Sequence, residues 1–487
     1  MTLTSIKESM TRKQNYTREA GKLTQIALPL IMASLVNMSI SITDVVMIGW
    51  LGVTELAAGA IVSDYYSIFF YLCAGILAAI SPLIAQARGA GKFSAIRDIV
   101  QQGFLLALLL AIPGAFMVFN AEVVLGAIGI DHQIVNMGTS YAQMMAMTFV
   151  AMLALNVMHH FFAAHSKTKV IMLVTACAMP INALGNYVFM FGHFGLEPMG
   201  LMGAGISSFM SALFMFSSVM FYASRDRKLK RYYLLSRISQ IKTNHIKELL
   251  HVGAPIGLSN LGEMGVFLFS TVIMGVFGVE ALAAHTVTLR MAGVVFAVPM
   301  GFAQAATVRI GYVVGANDPQ LILRIARTAM TICITAGMII LVGLTSLSAN
   351  ITRAFIGEGL SSQLLAQTML FLTILAIAQP FTNMGCVGAG ILRGFKDTRM
   401  PMLFSLTAYW GVSFLGGLSL AFLFGYGCLG IWIGLTAGST CYGLMIAYRL
   451  RERFVRQRII SQNIPGRTIF SKLHDPIENP RTALSHL

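Results

Sequence analysis

Four ionisable side chains stand well inside long apolar runs: Asp44, Asp64, Glu263 and Arg290. On insertion scales a charge at the bilayer centre costs about 2.5–3.5 kcal/mol, so each suggests a function. Asn37, Ser41 and Asp44 are spaced i, i+4, i+7 and share one helical face. A carboxylate in a low-dielectric setting favours its protonated form. Asp44 therefore reads as a reversible proton or sodium site, or as a protonated group bonded to a neighbour. Asn182 and Asn186 are one turn apart, and their amide oxygens suit a hard cation, a carboxylate or a helix-packing hydrogen bond. Glu263 follows Asn260 by one turn. Asp64 and Arg290 lie 226 residues apart and read as a gate between two halves or as groups with separate partners.

These residues need a particular setting. Lys and Arg number 34 and Asp and Glu 19, so 11% of the 487 residues are charged, against about 25% in a soluble domain. Apolar residues make up 56% and the mean hydropathy is +0.74. A water-soluble fold of this length could not hide that surface, and the same composition excludes disorder, collagen and coiled coil. The chain reads as an all-α polytopic membrane protein.

A bilayer core of about 30 Å takes roughly 20 apolar residues per helix. Twelve runs qualify, at 26–48, 56–85, 98–119, 134–160, 170–190, 200–222, 249–277, 281–311, 322–348, 362–391, 401–424 and 429–448. No short apolar core precedes a small-residue cleavage site in the first 25 residues, so no removable signal peptide is expected. With both termini on the cytoplasmic side, every Lys and Arg except Arg290 and Arg353 falls there, a strong positive-inside signal. The net charge of +15 is then explained by topology and by contact with anionic membrane lipids, not by nucleic acid. The expected location is the plasma membrane, which is the inner membrane in a bacterium.

Sliding the sequence on itself by 226 residues aligns Pro29 with Pro255, Gly52-Val53 with Gly278-Val279, Leu56-Ala57-Ala58 with Leu282-Ala283-Ala284, and Gly89-Ala90 with Gly315-Ala316. Each repeat holds six spans. Six is even, so the two repeats run parallel and are expected to be related by an axis along the membrane normal, as in many secondary transporters. The expected organisation is a cytoplasmic segment 1–25, an N-lobe 26–222, a basic linker 223–248, a C-lobe 249–448 and a basic cytoplasmic tail 449–487. No phosphate-binding GxxxxGK[ST] loop occurs, so ATP is not expected to be used within this chain. His159, His160 and His285 have no second ligand cluster, and the six cysteines form no CxxC, so neither a metal site nor a disulfide framework is expected.

Several stretches resemble the multidrug and toxic compound extrusion (MATE) family, in its NorM-like branch: SITDVVMIGWLGVTELAAGA (41–60), PLIAQARGAGK (82–92), NALGNYVFMFGHFG (182–195), GAPIGLSNLGEMGVF (253–267), GVEALAAH (278–285) and ILRGFKDTRMPM (391–402). The resemblance covers about residues 20–450. It implies export of organic cations driven by inward proton or sodium flow, with no cofactor and no enzymatic step. It places Asp44 as the coupling carboxylate of the N-lobe, with Asn182, Asn186 and Ser208 around it; Asn37 joins this candidate site by its place on the Asp44 stripe. The resemblance places Glu263 in a C-lobe cation or substrate site that Thr382 and its neighbour Asn383 would face; Asn260 joins this candidate site by its spacing of one turn from Glu263. Sodium-coupled relatives carry an aspartate where this chain has Thr382. Loss of that charge weakens a hard-cation site and favours proton coupling through Asp44. The expected activity is antiport by alternating access, carried out by a monomer. Two alternatives are a lipid-linked oligosaccharide flippase, for which a single intramembrane Arg is too few, and a channel or receptor that does not transport.

Overall fold

A computed structural model describes residues 3–234, 242–356 and 362–463. Most of the expected tail, and part of the linker with Arg237, lie outside them. In lipid a backbone must satisfy its polar groups within its own segment. Accordingly the apolar runs form α1 (Leu3–Gly49), α2 (Val53–Leu77), α3 (Ile80–Gly89), α4 (Phe93–Phe119), the short α5 (Ala121–Ala127), α6 (His132–Ala164), α7 (Thr168–Phe191) and α8 (Gly200–Arg225). The second half runs through α9 (Thr243–Val276), α10 (Val279–Ala316), α11 (Pro319–Ile356), α12 (Ser362–Gly394), α13 (Arg399–Leu406), α14 (Gly416–Leu418) and α15 (Gly427–Asn463). Two π-helical stretches, Thr407–Leu415 and Ser419–Leu423, flank α14. Among the described residues twelve spans are long and apolar enough to cross a membrane, α2 with α3 making one and α13 to Leu423 another.

Two features depart from the expected boundaries. The first helix has no break at residue 25. Between Leu3 and Gly49 its only proline is Pro29, and Leu23 and Ile26 are buried, so the polar N-terminal stretch continues a spanning helix. The second span breaks at Ala78–Ala79, because Pro82 lacks the N–H that would close the turn onto Ala78. Val308, its counterpart at the 226 offset, leaves α10 unbroken.

Both ends of the described chain, residues 223–234 and 242–248, and the loops at 90–92, 165–167, 317–318 and 395–398 lie at one end of the bundle, called here the linker end. The halves meet there around a two-fold relation. A Cβ on Gly89 would strike the carbonyl oxygen of Tyr312, and one on Gly315 would strike that of Gln86. Gly89 and Gly315 are offset mates, and so are Gln86 and Tyr312, so the contact is reciprocal. The halves also approach closely where Gly253 meets the Ile76 carbonyl and where Gly301 meets Ile31 and the Ala27 carbonyl.

The buried core does not divide where the sequence repeats. Leu23, Ile26, Ala27 and Ile31 of α1 belong to a cluster built mainly from α10, α11 and α12. Leu249, Val252 and Ile256 of α9 belong to the cluster of α2, α4, α6 and α8. Each half thus lends the start of its first helix to the other's core.

The linker-end corners are held by ion pairs of opposite polarity. After α6, Ser166 takes a left-handed backbone (φ 57°), and Lys167 pairs with Asp226 beyond α8. After α12, Lys396 takes the same conformation (φ 64°), and Asp397 pairs with Arg449 and Arg453 of α15, each at 3.0 Å. Burial pushes the Asp226 carboxyl up. The Lys167 ammonium and the N–H groups of Lys228 and Leu229 outweigh this and hold it below the ordinary range. Burial pulls Lys167 down, but Asp226 and Tyr222 raise it above its usual value. A depressed carboxyl contributes stability above its unfolded value near 3.9, lost as pH falls through the folded value. A raised ammonium contributes below about 10.4, lost as pH rises through the folded value. Asp226→Asn is therefore expected to lose about 1–3 kcal/mol at neutral pH. The difference from wild type should close below about pH 4 in thermal melts of the detergent-solubilised protein; a gap that persists there would mean that charge is not the cause.

Candidate functional site

The first-half cluster forms where α1 passes α7. Asn186 donates Nδ2 to Asp44 Oδ1 at 2.6 Å, and the Asn182 amide also reaches that carboxylate. Both asparagines are fully buried, and their Oδ1 atoms have no hydrogen-bond partner. A buried carbonyl oxygen without a donor is costly, so these two oxygens are available for a proton-bearing or cationic group beside Asp44. The serine hydroxyl that meets α7 is Ser207, bonded to the Asn182 carbonyl at 2.7 Å, rather than the half-buried Ser208. Sequence reasoning also missed Tyr141, a buried α6 residue within electrostatic reach of Asp44 whose hydroxyl is 3.3 Å from Ser63 Oγ. Asn37 is exposed and forms no described hydrogen bond to the cluster.

In the second half, Tyr409 donates to Glu263 Oε1 at 3.2 Å and its ring lies 5.7 Å from that of Tyr442. Cys386 and Arg393 of α12 are within electrostatic reach of the same carboxylate. Thr382 shares their helical face, with its hydroxyl bonded to its own helix at Ala378. Asn383 points elsewhere: it is fully buried and donates to the Cys333 carbonyl on α11 at 3.0 Å. Asn260 also turns from Glu263, packing against Gly75 of α2 in the other half. The tyrosines had one legible signal, since a Tyr in a buried apolar run must find a hydrogen-bond partner.

Asp64 on α2 and Arg290 on α10 are both exposed and within electrostatic reach of each other. They form no ion pair within 4.0 Å among the described residues. Deeper toward the linker end, Gln304 of α10 donates to Ser81 Oγ at 2.9 Å and lies 3.4 Å from His160 Nδ1, linking the halves. His285 bonds Thr271. No cluster of three or more His, Cys, Asp or Glu that could hold a metal occurs among the described residues.

Twelve spans, a repeat with reciprocal contacts and a half-buried intramembrane carboxylate in each half define a class of membrane transporter. The family model described as MatE matches residues 29–188 and again 255–439. The chain belongs to the MatE family, whose members are transporters and not enzymes. It is 33% identical over 453 residues to the "Probable multidrug resistance protein NorM" of Brucella suis, covering 91% of this chain and 95% of that one. It is 31% identical to the protein of the same name in Mesorhizobium japonicum, covering 88% and 92%. The fold is shared with the eukaryotic MATE transporter AtDTX14 (TM-score 0.82, 21% identity, 91% of this chain and 98% of that one). It is shared also with the Vibrio cholerae MATE transporter VcmN in its bent form (TM-score 0.81, 17% identity, 92% and 99%).

Proposed function

We propose that this transporter exports cationic, amphipathic drugs and similar compounds in exchange for an inward-moving cation bound at Asp44, with a proton as that cation. The observation that carries this reading is the Asp44 carboxylate held by Asn186, beside two buried amide oxygens that lack donors. A protonated Asp44 can donate to one of them. The deprotonated carboxylate keeps the Asn186 bond. The two forms thus make different contacts, as a coupling ion that shifts a conformational equilibrium must. The same oxygens support sodium as the second reading, since a carboxylate and amide carbonyls are hard-cation ligands.

In this reading residues 26–222 and 249–448 are the two lobes, the linker end is cytoplasmic by the positive-inside bias, and the membrane is the plasma membrane. Exposed charges such as Asp64 and Arg290 do not face lipid. They line a cleft between the lobes, open to the far end, and form a gate that closes as the lobes rock. Acids outnumber the single intramembrane Arg in the spans, which favours cationic cargo. Glu263 with Tyr409 and Tyr442 serves cargo binding or conformational bias in the C-lobe.

The test is dye efflux from proteoliposomes with proton and sodium gradients imposed separately. A proton gradient alone should drive efflux, and Glu263→Gln should slow it without abolishing it. If only sodium drives efflux and Glu263→Gln is inactive, the ion site lies in the C-lobe and the proton reading fails.

A further inference from the structure

The linker end should be closed alike on both flanks of the two-fold axis, and it is not. On one flank Arg309 of α10 donates to Glu19 of α1 at 2.5 Å, and Lys22 holds the same carboxylate at 2.6 Å. At the 226 offset these three positions are Leu83, His245 and Glu248. Leu83 cannot pair, and His245 lies 4.0 Å from Glu248 on its own helix. In place of the ion pair there is a cleft of about 310 Å³, lined by all three residues.

Both halves contribute charge to this cleft: Lys92 from the first, Lys396, Arg453 and Glu248 from the second. Glu248 is engaged by Lys396 at 2.7 Å and Arg453 by Asp397 at 3.0 Å, while Lys92 is exposed and forms no ion pair among the described residues. Two of the three cations are thus already paired, and Lys92 is left without a counter-ion at the cleft. Leu83, Ile99 and Phe395 give the cleft an apolar wall.

We propose that this cleft binds a phosphate group, from an anionic phospholipid headgroup or from free phosphate, and that the bound group bridges the halves where the Glu19–Arg309 pair is missing. Ammonium and guanidinium groups make charge-assisted hydrogen bonds to phosphate oxygens. The apolar wall accommodates the glycerol and upper acyl carbons of a lipid, and a leaflet facing many basic residues is where anionic lipids gather. Because both halves line the cleft, the ligand favours the arrangement closed at the linker end. Binding is read without transport, so its outcome is separate from that of the coupling mechanism.

The full chain would be placed in nanodiscs of phosphatidylcholine alone, with added phosphatidylglycerol, or with inorganic phosphate, and its thermal midpoint followed. Phosphatidylglycerol should raise the midpoint of wild type in a saturable way. Lys92→Glu should weaken that response about tenfold, the equivalent of one charged contact. Leu83→Arg combined with His245→Glu should rebuild the ion pair, raise the midpoint unaided and abolish the lipid response. A matching shift with inorganic phosphate identifies the ligand as free phosphate; a shift with phosphatidylglycerol only identifies the lipid. A wild-type midpoint indifferent to all three conditions would overturn the proposal. So would a Lys92→Glu protein that responds as wild type does, a result that remains readable if the double variant does not fold.

Discussion

Asp44→Asn is expected to reduce gradient-driven efflux to the level of empty vesicles while leaving the protein inserted and folded. The amide oxygen of the new Asn can still accept from Asn186 Nδ2, so the α1–α7 contact survives. A neutral amide in an apolar span is less costly than an aspartate, which costs about 2.5–3.5 kcal/mol at the helix centre. The thermal midpoint should therefore hold or rise as transport disappears. A permanently neutral side chain cannot pick up and release a cation, so under the proposed exchange the equilibrium between the two cleft orientations loses its dependence on the gradient. Efflux, expression level and melting would be measured on the same preparation. Retention of half the wild-type proton-driven rate would remove Asp44 from the coupling step.

The second large effect is steric. Gly315→Ala and Gly89→Ala each put a methyl group against a backbone carbonyl of the other half, at Gln86 and Tyr312. A side chain could rotate away, but a carbonyl held in the last turn of a packed helix cannot, so the halves must separate at the linker end. Overpacking of this kind costs about 1–3 kcal/mol, enough to move a conformational equilibrium roughly tenfold or more. Spin labels at exposed Ser94 and Gln320, at the linker end of opposite halves, should move apart in either variant, and efflux should fall with the population of the closed arrangement. Gly343→Ala is the control, because nothing lies within 4 Å of its added carbon. An unchanged label distance in Gly315→Ala would show that the contact yields without moving the halves.

Much of this architecture is legible in the sequence because lipid imposes a simple rule. A run of about 20 apolar residues must be a helix, and the twelve runs read this way correspond to the twelve spans found. The pairing of Asp44 with Asn182 and Asn186 was approachable because each partner sits on a helical stripe inside an apolar span. Other parts depend on which helices meet, and composition does not encode that. Tyr409 reaches Glu263 from the π-helical stretch after α13, where the turn is wider than in an α-helix and apolar periodicity gives no warning. Ser207 and Ser208 are adjacent and chemically identical, so only the rotation of α8 against α7 decides between them. Asn383 looked like a partner for Glu263 but is drawn to the Cys333 carbonyl, because one helical position carries it round to α11.

The exchange of helix starts between the two cores bears on how the chain is made. Residues Leu23 to Ile31 leave the ribosome early, yet the cluster that buries them includes Ala303, Ile325 and Val387, which are synthesised hundreds of residues later. Until then the first helix has inserted but lacks its permanent neighbours, and the cluster of the first six spans still lacks Leu249, Val252 and Ile256. Neither half is a finished unit at any stage of translation. A gene cut within residues 223–248 would yield two fragments that each expose part of the other's interior, so assembly requires both to be present in one membrane at one time.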